Sequence, residues 1–366
     1  MKLLVSINLG DRSTMHHLYP ITLLDDVEQI MVVKDKPYPK MNKVQYYCPP
    51  NWSLKIPVVA FVLKFFIMCY LSIKEKPDLI TGYLLFPHGI LAFITGLLTG
   101  RKIGISTIAG PVELYAWGKS PIGKYSYHNQ LPELSYIAKI SLWILNKCDL
   151  ITVTGSYTSK CLVKLNVDEN KIFILPHVLD ENFKFKDVNK EYDIIYVARL
   201  AQVKHIEILI KSIKVVKKQY PSIKVAIVGS GECRVKLEKL AQSLNLSENI
   251  DFVGYQSDVW NWYNKGKLSV LTSEREGFPY SVVESLSCGL PVISSNCGDV
   301  CDVIKDGYNG YIIVNYEDYD SFADKIIEML KNPTIIDSFS ENALKTAKEM
   351  TPENVSYIWK EIFQII

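Results

Sequence analysis

The sequence is short of several things, and each shortage removes a class of protein. Net charge is almost absent: 41 Lys and Arg stand against 39 Asp and Glu, a formal +2. Nothing here asks for a polyanionic partner, and nucleic acid is not expected as one. Histidine is scarce, with six in 366 residues. The eight cysteines, at 48, 69, 148, 161, 233, 288, 297 and 301, form no CxxC pair. Cys297 and Cys301 are four apart but lack two further ligands, which argues against zinc. Scattered thiols in apolar surroundings fit a reducing, cytoplasmic setting. A secretory pattern is missing, because Asn8 to Asp11 end the apolar start too early. No apolar run reaches the ~20 residues that cross a bilayer. The longest, residues 56–73, is broken by Lys64 and followed by Lys74. It reads either as a buried helix or as a helix touching lipid at the interface. Internal repeats and low-complexity segments are also missing.

What is present is a chain long enough for two domains, at roughly 150 residues each. Residues 1–187 hold 21 Lys and Arg against 15 Asp and Glu, and residues 188–366 hold 20 against 24. A basic first half suits an anionic neighbour such as a membrane surface. Short β-branched runs alternate with helical stretches, the pattern of parallel βαβ units. In the first half, strands are predicted near 3–7, 79–81, 102–107, 150–153 and 172–175, with helices near 57–75, 88–99, 134–147 and 156–165. In the second, strands are predicted near 193–197, 224–228, 250–252, 268–271, 291–294 and 311–314. Helices there are predicted near 203–219, 232–244, 257–264, 280–287, 318–330 and 335–349. The charged run at 180–191 marks the break, so 1–186 and 187–350 are expected as domains. Residues 351–366 carry apolar residues at helical spacing (Val355, Ile358, Trp359, Ile362, Phe363) and are expected to form a helix packing on the first domain.

Chemistry concentrates in Ser273–Val314. After the strand ending at Leu271 comes a loop with Glu276, Gly277, Phe278 and Pro279, then a helix. Proline suits a first helical turn, and Gly289 with Pro291 should end the helix. A glycine loop feeding a helix start presents free N–H groups to an anion such as a diphosphate, and parallel sheets bind ligands at their carboxyl ends. Glu276 and Glu284 bracket that place, eight residues apart; the first can accept from sugar hydroxyls, the second from ribose. Upstream, Arg199 and Lys204 follow the strand at 193–197 and can neutralise a diphosphate. Gly229 and Gly231 allow a tight turn beside a ligand. Gly254 and Tyr255, in the loop after another strand, are candidates for lining a base pocket.

These motifs together resemble glycosyltransferase family 4, of GT-B fold. The resemblance rests on the Glu276-x7-Glu284 spacing, the CGLPVISS run, the Gly298–Asp302 turn and NGYIIV; PDLITGYLLFPHG and PHVLD extend it more thinly into the first half. It implies two Rossmann-like domains and a retaining, metal-independent transfer of a hexose from a nucleotide-diphosphate sugar to a lipid-linked or polysaccharide acceptor. No cofactor is expected. Glu276, Arg199 and Lys204 are implied at the reacting centre. Glu284, Gly277 to Pro279, Gly229, Gly231, Gly254 and Tyr255 are expected around the donor. Glu113, Tyr115, Trp117 and Gly10 are candidates for the acceptor. The family commonly has a His where Ala109 stands, and a Gly-Gly loop where Asn8–Asp11 stands. A nucleotide-sugar 2-epimerase on the same fold, or a non-catalytic nucleotide-sugar-binding subunit, are the alternatives. The expected location is the cytoplasm, at the inner face of the cell membrane.

Overall fold

The computed structural model describes residues 1–115 and 134–366. Among them the chain divides into two compact units. The first holds the chain up to Asp180 together with Met350–Ile366; the second holds Glu181–Glu349.

The first unit is a seven-stranded sheet, parallel throughout, in the order β3-β2-β1-β4-β5-β6-β7. Its strands are β1 (Lys2–Ser6), β2 (Gln29–Val33), β3 (Val44–Tyr47), β4 (Leu79–Tyr83), β5 (Lys102–Thr107), β6 (Leu150–Val153) and β7 (Ile172–Ile174). The crossover helices are α1 (Asp11–Thr22), α2 (Pro57–Glu75), α3 (Ile90–Thr99), α4 (Tyr136–Lys147) and α5 (Ser156–Lys164). Central strands are covered on both faces, which is why β4 and β6 read as unbroken buried runs rather than as alternation.

The second unit is a six-stranded parallel sheet in the order β10-β9-β8-β11-β12-β13. Its strands are β8 (Tyr192–Val197), β9 (Val225–Val228), β10 (Ile250–Gly254), β11 (Gly266–Leu271), β12 (Val292–Ser295) and β13 (Gly310–Ile313). Helices α6 (Ile206–Val216), α7 (Arg234–Ser243), α8 (Val259–Asn264), α9 (Tyr280–Ser287), α10 (Tyr319–Lys331) and α11 (Pro333–Ala347) connect and flank them. Phe183 is buried against Ile195, Tyr263 and Leu290, so the segment before β8 already belongs to this core.

Both units are Rossmann-like, as the sequence implies. Strand order reverses once in each, between β1 and β4 and between β8 and β11. The last helix, α12 (Pro352–Ile365), belongs to the first unit. Val355, Trp359 and Ile362 lie on one face and are buried with Leu18, Ile21 and Val5. Burying three such side chains favours the docked helix by roughly 1.5–3 kcal/mol each before ordering entropy.

Three elements near the amino terminus have no counterpart among the strands and helices expected from the sequence: α1, β2 and β3. The buried residues of α1 are Thr14, His16, Leu18, Pro20, Ile21 and Thr22. Half of that inward set is polar, so no apolar period announces the helix. β3 is a four-residue edge strand with no fully buried side chain.

Candidate functional site

The reversal point of the second sheet lies between β8 and β11, where loops diverge and leave a crevice beyond the carboxyl ends of the strands. The loops after these two neighbouring strands are fastened together there. Thr272 Oγ1 donates to the Lys204 carbonyl at 2.9 Å, and Tyr196 Oη donates to the same oxygen at 3.1 Å. The Glu274 N–H donates to the Val203 carbonyl at 3.0 Å. Across this seam the Lys204 ammonium meets Glu276 Oε1 at 2.5 Å, with both side chains mostly covered. Thus two residues 72 apart in sequence form one charge pair at the strand ends. Arg199 is exposed in the first loop and makes no ion pair among the described residues.

Glycines bring the flanking loops in. Gly229 has φ +140°, and a Cβ there would lie 1.9 Å from the Ala198 carbonyl oxygen. A Cβ on Gly231 would lie 2.4 Å from that of Leu200. Only glycine permits this approach. The Leu200 N–H then donates to the Ser230 carbonyl, and the Cys233 N–H to the Leu200 carbonyl, both at 2.9 Å. On the other side Gly298 has φ +55°, and its missing Cβ makes room for the carbonyls of Glu276 and Gly277. The Asp299 N–H donates to the Gly277 carbonyl at 2.9 Å. Four adjacent strand-end loops are in this way stitched around Glu276.

Helix α9 starts at Tyr280, directly after Gly277, Phe278 and Pro279. It ends in a Schellman motif: the Leu290 N–H bonds the Ser285 carbonyl and the Gly289 N–H that of Leu286, with Gly289 at φ +73°. Glu284 sits inside this helix, 7% exposed, and accepts from Tyr263 Oη at 3.2 Å. Phe278 is buried. Gly254 (φ +86°) and the exposed Tyr255 lie at the end of β10, two strands from β8. Sequence reasoning did not assign Thr272, Tyr196 or Tyr263 a part in holding this site. All three read as ordinary strand and helix residues; only Gly298, in the Gly298–Asp302 turn, carried a visible signal.

In the first unit the acceptor candidates are dispersed. Gly10 precedes α1, exposed, at φ −56° with open space at its Cβ, so the backbone does not require glycine there. Tyr115 is buried, and Trp117 lies outside the described residues. Glu113 is 2% exposed, and its two oxygens accept from the N–H groups of Leu85 at 2.7 Å and Ala109 at 2.6 Å. Burial pushes its carboxyl up to about 7. The carboxylate faces inward and ties the loops after β4 and β5. Glu113→Ala strands two buried donors at ~1–3 kcal/mol each. A loss of ~2–6 kcal/mol in urea-unfolding stability is therefore expected, and a loss under ~1 kcal/mol would contradict this role. His88 is also buried; its Nδ1 meets Ser6 Oγ at 2.8 Å, and burial lowers its pKa to about 4.

Among the described residues, no cluster of three or more His, Cys, Asp or Glu is placed to hold a metal.

The architecture is that of solved GT-B glycosyltransferases. The structure of Anabaena Alr3699/HepE in complex with UDP matches with a TM-score of 0.78 at 14% identity, covering 100% of both chains. Sucrose-phosphate synthase from Thermosynechococcus elongatus matches at 0.75 and 15% identity, over 99% of this chain and 98% of that one. More particularly, residues 179–346, which contain the whole strand-end site, match the model of the family described as glycosyl transferases group 1. Relatives carry glycosyltransferase names. Poly(glycerol-phosphate) alpha-glucosyltransferase of Bacillus subtilis is 30% identical over 196 residues, 52% of this chain and 29% of its own length. The chain therefore spans under a third of that relative. The capsular polysaccharide biosynthesis glycosyltransferase CapM of Staphylococcus aureus is 24% identical over 312 residues, 81% of this chain and 78% of its own.

Proposed function

We propose that the chain is a retaining, metal-independent glycosyltransferase of family 4, moving a hexose from a nucleotide-diphosphate sugar to a glycan or lipid-linked acceptor in cell-surface glycan synthesis. The observation that carries this reading is the Lys204–Glu276 pair at the β8/β11 reversal, beside exposed Arg199 and the Gly277–Pro279 entry to α9. A diphosphate there meets an ammonium, a guanidinium and the positive end of a helix. Glu276 takes hydroxyls of the donor sugar, and Glu284, oriented by Tyr263, takes the ribose. The bond from the anomeric carbon to the diphosphate breaks, and the acceptor oxygen bonds that carbon on the same face. The acceptor's proton passes to the leaving phosphate, so no side-chain base is needed at Ala109. Arg199 and Lys204 stabilise the negative charge that builds on the leaving group.

Solved structures with this fold include one in complex with UDP-glucose, which makes UDP-sugars the first donors to try. The test is thermal unfolding with UDP, GDP and their sugars. A ligand that binds the folded state raises the melting temperature, by about 2.7 kcal/mol of added stability at a hundredfold excess over Kd. No shift with any of them would remove the reading. Products from donor alone separate the alternatives: an epimer formed without acceptor would favour a nucleotide-sugar 2-epimerase. Binding without turnover, with acceptors supplied, would favour a non-catalytic subunit.

A further inference from the structure

Lys64 interrupts the longest apolar run of the sequence, yet in the fold it is the residue turned inward. Its ammonium is buried against Asp35 at 2.5 Å. What α2 turns outward is apolar: Val58, Val62, Phe66, Tyr70 and Ile73, at spacings of four, four, four and three, form one stripe along its length. Phe66 is 61% and Ile73 68% exposed. A soluble crossover helix is expected to show the opposite arrangement.

The stripe does not end with α2. Ser72 Oγ lies 2.7 Å from Thr99 Oγ1, bringing α3 alongside, and α3 exposes Leu97 and Leu98. Phe93 of α3 meets Trp143 of α4 edge-on at 5.6 Å between ring centres. Helix α4 in turn exposes Ile137, Ile140 and Trp143. Three adjacent helices of one unit thus share an outward apolar face, far beyond the scattered single residues of an ordinary surface. Its exposed charge is mainly of one sign. Residues 52–74, 90–102 and 136–147 contain no Asp or Glu, and Lys55, Lys102, Lys139 and Lys147 are exposed. Lys74, also exposed, pairs with Glu75, the last residue of α2, at 3.6 Å.

We infer that the α2–α3–α4 face docks on a bilayer bearing anionic headgroups. Apolar side chains enter the acyl boundary while the lysines meet phosphates, the arrangement of an interfacial rather than a spanning helix. Exposed Tyr70 and Trp143 suit the headgroup level. A second copy of this chain is the poorer occupant, because each copy would bring the same excess of exposed lysines to the contact. The inference uses the first unit alone, so it stands or falls separately from the donor site.

The experiment is co-sedimentation of the full chain with vesicles of phosphatidylcholine, alone or with an equal amount of phosphatidylglycerol. Binding is expected on the mixed vesicles, weaker on the neutral ones, and reduced by salt. Phe66→Asp/Ile73→Asp should lower binding to mixed vesicles at least about tenfold with unchanged circular dichroism, since both side chains are exposed. Lys139→Glu/Lys147→Glu, which leaves every apolar contact intact, should lower it several-fold and provides the reading if the first variant misfolds. Absence of wild-type binding, or equal binding by both variants, would overturn the inference. A solution dimer that Phe66→Asp dissociates, without vesicle binding, would assign the face to self-association instead.

Discussion

Lys204→Ala and Glu276→Ala are each expected to reduce kcat/KM at least about tenfold, or ~1.4 kcal/mol of transition-state stabilisation. The two side chains make one contact, 2.5 Å long and mostly covered. On the proposed function, removing either takes away a ligand to the donor and leaves its partner's charge uncompensated beside the diphosphate or the sugar. The losses should not multiply, because residues sharing one contact couple. The double variant is expected close to the worse single variant. The measurement is initial rates with whichever nucleotide sugar protects the protein from heat. Rates near wild type in both single variants would strip the pair of its role while leaving the fold untouched. A deeper loss in Lys204→Ala than in Arg199→Ala is also expected, since Arg199 is exposed and water screens it.

Acidification should unfold the first unit well before carboxylate protonation alone would. Burial lowers the pKa of His16 and His88 to about 4 and that of His17 to about 3, and holds His177 well below its usual 6.5. Arg12 beside His16 and Lys64 beside His88 add to the effect, while Asp180 and Asp35 oppose it. The unfolded chain takes up these protons near 6.5, whereas the folded one refuses them until about 4 or lower. The stability they contribute is therefore fully present above about 6.5 and is lost as pH falls toward 4. Each imidazole contributes up to ~1.4 kcal/mol per pH unit across that window. Glu113 works in the other direction. Its raised carboxyl adds stability that is fully present below 4.5 and is lost as pH rises through about 7. Four groups against one decide the sign. The urea midpoint should fall steadily from about 6.5 downward, and His17→Leu should make the slope shallower by about a third, since four imidazoles less one opposing carboxyl become three less one. A midpoint flat over that range would contradict the burial of these rings.

Much of this protein is legible in one dimension because its second half follows local rules. Strands β8, β9 and β11 to β13 are largely buried runs of four to six residues bounded by turns, with β10 a more exposed edge strand, and Gly289 with Pro291 stops α9 where helix chemistry says it must. The same rules locate Glu276, Arg199, Lys204 and the glycine turns at strand ends. They fail around α1, where buried His16 and Thr14 erase the period that would announce a helix. Glu113 is a candidate for the acceptor in sequence, but it lies inside, bonded to two backbone donors.

By itself, then, the sequence determined the alternation of elements, the kind of sheet and the residue types in the loops at the strands' carboxyl ends, since each depends on neighbours within a few positions. Tertiary structure alone decided which of those residues meet. Lys204 touches Glu276 because parallel pairing sets β8 beside β11 across 72 residues of chain. Lys64 points inward and Phe66 outward because Asp35, at the end of a neighbouring strand, offers the ammonium a partner. A charge goes where its counter-ion is, and that position exists only once the sheet has formed.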